Sequence, residues 1–132
     1  MTPTLPDILT GQAVALMTPL PPEAGGDYMA GRMGLLAMLA GLASQEAERG
    51  LAARVWENGA IRALLAKAGA DPGHGDDDLT WSALDAANAN LRRVLIATHE
   101  AAEARGDRAL QSEILGLYRQ MAAARRLTLA GA

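Results

Sequence analysis

The stretch TWSALDAANANLRRVLIATHEAAEARGDRALQSEILGLYRQMAAARRLTL, residues 80–129, decides the fold class. Leu84, Asn88, Leu91, Leu95, Thr98 and Ala102 recur at alternating spacings of three and four, the repeat of one face of an α-helix. Gly106 is placed to stop that helix and Asp107 to cap the next. Leu110, Ile114, Leu117, Met121, Ala124 and Thr128 then resume the same spacing. A link of one or two residues turns the chain back on itself, so 80–129 reads as an antiparallel helical hairpin.

Composition carries the same reading through the rest of the chain. The 132 residues hold 29 Ala and 20 Leu against 4 Ile, 3 Val, 7 Thr, 2 Trp, 2 Tyr and no Phe. A sheet would lack the β-branched and aromatic residues that strands favour, whereas helices are well supplied. Half the residues are apolar and a fifth are charged. That is the composition of one globular all-α domain able to bury roughly two thirds of its unfolded surface.

Upstream of the hairpin, Asp7 is placed to cap a short helix over 8–17, which Pro19, Pro21 and Pro22 would end. A loop through Gly25 and Gly26 leads to Asp27 as the cap of a helix over 28–49. Met29, Met33, Leu36, Ala40, Ala43 and Ala47 form its apolar stripe, widened by Leu35, Leu39 and Leu42, so this helix is expected to be nearly enclosed. Gly50 is a plausible stop, yet residues 51–67 resume the pattern, leaving either two helices or one long kinked helix over 27–68. Residues 69–79, with Gly69, Pro72, Gly73, Gly75 and four aspartates, read as an acidic loop. The expected architecture is a compact antiparallel bundle of about four main helices, or three if 28–68 is continuous. A short helix and Pro/Gly linker in 1–26 completes it.

A formal charge of −3 and a pI near 5.3 argue against nucleic acid as a partner, whose binding needs clustered cations. The charge is uneven, with five basic and ten acidic groups in 1–79 against seven and five in 80–132. The absence of cysteine removes disulfides, thiolate catalysis and cysteine-held metal sites. The most apolar run, 33–43, is too short to span a bilayer, which takes about 20 residues. MTPTLPDILT lacks the basic and apolar regions of an export signal, so the expected location is the cytoplasm.

Two segments thirty residues apart, 58–65 and 88–95, share the pattern Asn-x-x-apolar-Arg-x-apolar-Leu. On helices, Asn58 lies one turn before Arg62 and Asn88 one turn before Arg92, on the same side in each case. The pattern predicts a polar network of Asn58, Arg62, Asn88 and Arg92, with Arg125 outside it in a frayed last turn. Trp56 and Trp81, near the starts of helical segments, are expected to close the ends of the core or, where exposed, to anchor an interface.

Other residue types offer less chemistry. His99 and Glu103, spaced i, i+4, are a candidate metal pair, but the second histidine of a zinc-protease helix is replaced by glutamate. His74 and Asp76–Asp78 do not follow the spacing of a calcium loop, and carboxylates ahead of a helix favour its dipole without any ion. Ser44, Ser82 and Ser112 lie in helical patterns without an assembled base, and Glu46 and Glu57 are expected on solvated faces. No catalytic residue and no cofactor is therefore assigned. Met17, Met29, Met33, Met38 and Met121 read first as core filler, and small residues such as Gly34, Ala37 and Gly41 allow helices to approach closely, within one chain or between two. The leading expectation is a helical protein-interaction, adaptor or accessory subunit, as a homodimer or with a protein partner. An apolar or acyl ligand held in a cavity bounded by Met33, Met38 or Met121 is the alternative. A metal-dependent enzyme centred on His99 and Glu103, completed by Glu46 or Glu57, is the third.

Overall fold

The computed structural model describes residues 3–17 and 26–129. Among these the chain is all α, with no strand: α1 (Leu5–Met17), α2 (Gly26–Lys67), α3 (Trp81–Arg105) and α4 (Arg108–Ala124), a helical bundle. Residues 28–67 form one continuous helix with Gly50 inside it, so of the two expected arrangements the one with three main helices and a short one is found. The described residues group into two compact units, the first holding residues up to Gly50 together with those from Leu127 onward, the second Leu51–Arg126.

In the second unit, Ile61 and Leu65 of α2 meet Leu91 and Leu95 of α3 and Ile114, Leu117 and Met121 of α4 in one buried cluster. Each helix contributes the stripe its three-and-four spacing marks out, and each fully buried large aliphatic side chain is worth about 1.5–3 kcal/mol. Thr80 caps α3 by accepting a hydrogen bond from the Ala83 amide at 3.3 Å. Gly106 ends it at φ 69°, a left-handed conformation costly for other residues, and the Asp107 amide donates back to the Ala102 carbonyl at 2.9 Å. Asp107 accepts from the Leu110 amide at 3.1 Å and starts α4. The helix of 80–129 therefore breaks where the sequence marks it, but α4 ends at Ala124, and Thr128 lies in a non-helical segment rather than on a continued stripe. At the surface, the ammonium of Lys67 donates to both carboxylate oxygens of Glu113, at 2.7 and 2.8 Å.

In the first unit, Thr4, not Asp7, caps α1. Asp7 is the third helical residue and answers the cap: its carboxylate accepts from the Thr4 amide at 3.0 Å and the Thr4 hydroxyl at 2.8 Å, while its own amide donates to that hydroxyl at 3.4 Å. These bonds, that from the Thr4 amide above all, hold the Asp7 carboxyl below the usual carboxylate pKa. Ile8 is buried, and Gln12 donates from Nε2 to the Leu36 carbonyl of α2 at 3.3 Å. Gly26, expected in a loop, begins α2, which places Asp27 in its first turn. The expected stops at Pro19, Pro21 and Pro22, the Gly25 turn and the side chain of Met17 lie outside the described residues.

The larger departure concerns the first half of α2, which is not enclosed. Ala43 is buried, but Tyr28 is 50% exposed and Met33 60%, with Met29, Leu35 and Met38 also exposed. Ala40 and Ala47, on the expected inner stripe, are exposed as well. The period of the apolar residues is helical; among the described residues no surface covers them.

Candidate functional site

The polar residues singled out from the repeated motif lie in the second unit, at one end of its apolar cluster. Asn88 of α3 donates from Nδ2 to Asn58 Oδ1 of α2 at 2.9 Å and to Glu57 Oε1 at 2.9 Å, using both amide hydrogens. Asn58 donates in turn to the Asp76 carboxylate at 3.2 and 3.3 Å and to the Leu84 carbonyl at 3.3 Å. Arg62 donates from Nη2 to Asp76 Oδ1 at 2.7 Å, strapping the acidic loop onto α2. That bond is the main cause of an Asp76 pKa below the ordinary carboxylate value; desolvation opposes it, and the Asn58 amide assists.

Arg92 does not join this group. It is exposed on α3, and its charge bears on the half-buried Tyr118 hydroxyl, whose pKa burial raises and Arg92 draws back. Its expected place is taken by Arg125, the residue that caps the end of α4. Arg125 donates from Nε to Glu57 Oε2 at 2.6 Å, and from Nη2 to Glu57 Oε1 at 2.7 Å and Asn88 Oδ1 at 2.9 Å. Glu57, expected on a solvated face, is fully buried.

A signal for both residues was present in the sequence. Glu57 precedes Ile61 and Leu65 at intervals of four, and Arg125 follows Met121 by four, so each continues a core stripe with a polar side chain. Glu57, Asn88 and Arg125 form a polar layer, one from each helix. Both oxygens of Glu57 are occupied and its charge is matched by Arg125, so the layer holds helices together and leaves no unengaged carboxylate within it for acid or base chemistry.

The tryptophans differ. Trp81 is half-buried beneath the Arg54 guanidinium, 5.9 Å from the ring centroid, while Arg54 Nε lies 2.6 Å from Asp85 Oδ1. Trp56 is 42% exposed. His99 Nε2 is 3.6 Å from Glu103 Oε1, and the His99 ring is tilted against that of Tyr118 at 5.8 Å. No third His, Cys, Asp or Glu joins His99 and Glu103 among the described residues, and Glu57 is committed to Arg125 and Asn88.

In the first unit, a groove of about 440 Å³ runs along α2 past Gly34, Ala37, Met38 and Gly41, with Thr128 and Leu129 on its other side. Gln45 joins the two walls. Its Oε1 accepts from the Thr128 amide at 2.9 Å and the Thr128 hydroxyl at 3.2 Å, and its Nε2 donates to the Thr128 carbonyl at 2.8 Å. Against family models, curated proteins and solved structures alike, the chain finds no match.

Proposed function

We propose that this chain is a small helical protein-interaction module, an adaptor or accessory subunit of the cytoplasm without a catalytic site of its own, and that the first half of α2 is its docking surface. The observation that carries this reading is the exposure of Tyr28, Met29, Met33, Leu35 and Met38 within eleven residues of one helix. A helix that is apolar on more than one side belongs inside a larger assembly, because leaving several large side chains in water forgoes about 1.5–3 kcal/mol each. No helix among the described residues is long and apolar enough to cross a membrane, so the covering surface proposed is protein.

The first partner to test is a second copy. Gly31, Gly34 and Gly41 are open around their Cα atoms, with nothing within 4 Å of an added Cβ, which leaves room for another helix to come close. Light scattering across a dilution series, with native mass spectrometry of the same sample, tests it. A concentration-dependent dimer without bound small molecules is the expected result; a monomer at all concentrations overturns self-association.

A second reading, an apolar or acyl ligand, is favoured by one feature, the groove bounded by Met38. A stoichiometric extra mass retained on the monomer would move the assignment to it.

A further inference from the structure

The bonds between Gln45 and Thr128 are of a particular kind. One side-chain amide is paired with both the N–H and the C=O of a single residue, at 2.9 and 2.8 Å. Those two groups of one residue point the same way when the backbone is extended, which is how a strand meets its neighbour. Gln45 therefore does from a helix what a sheet edge does: it reads peptide backbone, as in the addition of a strand to an edge, with the Thr128 hydroxyl as a further donor to Oε1 at 3.2 Å. An acyl chain has no N–H and C=O pair to offer such an amide.

Apart from the Arg49 guanidinium, whose Nη2 donates to Gln45 Oε1 at 3.1 Å, the groove around this contact is chemically uniform. Gly34, Ala37, Met38, Gly41 and Leu42 line it without a charged group, and Leu129, 49% exposed, sits at its mouth. The segment that forms its other side, Thr128 and Leu129, is uncharged, as are the walls on α2, and Leu127 before it is aliphatic as well. Thr128 is itself exposed, so the segment lies shallowly and leaves much of the groove open.

We propose that this groove is a docking site for an extended, uncharged aliphatic segment of a partner protein, held at its backbone by Gln45, and that residues 127–129 are its built-in occupant, which the partner displaces. The inference rests on the protein-interaction reading and deepens it by naming the segment chemistry and the residue that recognises it.

The test uses the full chain carrying Thr128→Pro, which removes the amide and hydroxyl donors of the resident segment, leaves it only the carbonyl bond to Gln45 and so weakens its hold on the clamp, at a position outside the helices. The probe is a fluorescein-labelled peptide Arg-Leu-Thr-Leu-Ala-Gly-Ala, followed by anisotropy. Binding at least tenfold tighter to Thr128→Pro than to the unaltered chain is expected. It should be lost when Gln45→Leu is added, with helicity by circular dichroism unchanged, and lost when the threonine amide of the probe is N-methylated. Equal binding to both proteins, or binding indifferent to N-methylation, overturns the proposal. So does a wild-type dimer that Gln45→Leu converts to monomer, since the segment would then be exchanged between copies. Because the peptide is added in trans to a defined groove, a wild type that never self-associates leaves this result intact, and the two readings fail separately.

Discussion

Arg125, at the end of α4, grips Glu57, fully buried on α2, through two parallel hydrogen bonds of 2.6 and 2.7 Å. The fork of a guanidinium matches the two oxygens of a carboxylate, and Asn88 bonds to both partners, so the end of α4 is tied to α2 and α3 by one cluster.

Removing the arginine leaves a carboxylate buried without its counter-charge. Arg125→Ala is expected to destabilise the fold by about 3–5 kcal/mol, whereas Arg92→Ala, on the exposed face of α3, stays within about 0.5 kcal/mol. Urea unfolding of the two variants gives the comparison. Similar midpoints would show that the Glu57 pair contributes little. The double change Glu57→Leu with Arg125→Leu should recover most of the loss, because it removes the uncompensated charge along with its partner.

Asp76 makes the fold sensitive to acid. Its folded-state pKa lies below the ordinary value of 3.8, chiefly through the Arg62 hydrogen bond. A depressed carboxylate pKa adds stability that is complete above the unfolded value and disappears as pH falls through the folded one. The unfolding free energy of the wild type should therefore drop as pH falls through 3.8 and on past the lower folded-state pKa, and Asp76→Asn should flatten that drop. Identical slopes in both proteins would remove Asp76 as a contributor.

Two glycines should respond to alanine with opposite signs. Gly106 holds φ 69° at the turn between α3 and α4, and Gly106→Ala is expected to lose about 1–2 kcal/mol. Gly59 sits mid-helix in α2, exposed, with open space where a Cβ would go. Gly59→Ala should gain about 0.5–1 kcal/mol. Thermal melts that move the same way would contradict the local accounts of both positions.

Polar substitution on the first half of α2 should separate association from folding. Met33→Gln combined with Leu35→Gln is expected to weaken any dimer by at least tenfold while shifting the urea midpoint by no more than a surface change does, about 0.5 kcal/mol. A dimer of unchanged affinity would place the interface elsewhere, with exposed Trp56 the next residue to replace.

These residues also show how far the sequence could be read. The hairpin of α3 and α4 was legible because Gly106 and Asp107 are local signals, whose meaning depends on a few neighbouring atoms. The meeting of Asn58 with Asn88 was foreseeable from two matched segments; Arg125 was marked only as continuing a core stripe four residues after Met121, and its partners Glu57 and Asn88 were not. Spacing identifies neighbours within a helix, such as Asn88 and Arg92, whereas Arg125 arrives from another helix through the packing of all three. The first half of α2 misled for a different reason. An apolar stripe that faces its own core and one that faces another molecule have the same period, and only exposure in the folded chain tells them apart. The Gln45 clamp gave no signal at all, since it joins residues 83 positions apart through one amide.

The exposed pair of Lys67 and Glu113 has a practical consequence. Lys67 is the chain's single lysine, the chain holds no cysteine, and the Lys67 side chain is largely open to water. Its amine is thus a unique handle among the side chains for amine-selective acylating reagents. One fluorophore, spin label or tether can be attached there, at the end of α2, without engineering the sequence. Acylation at that point also cancels one positive charge and frees Glu113, so the label reports on itself through a changed net charge that electrophoresis or ion exchange resolves.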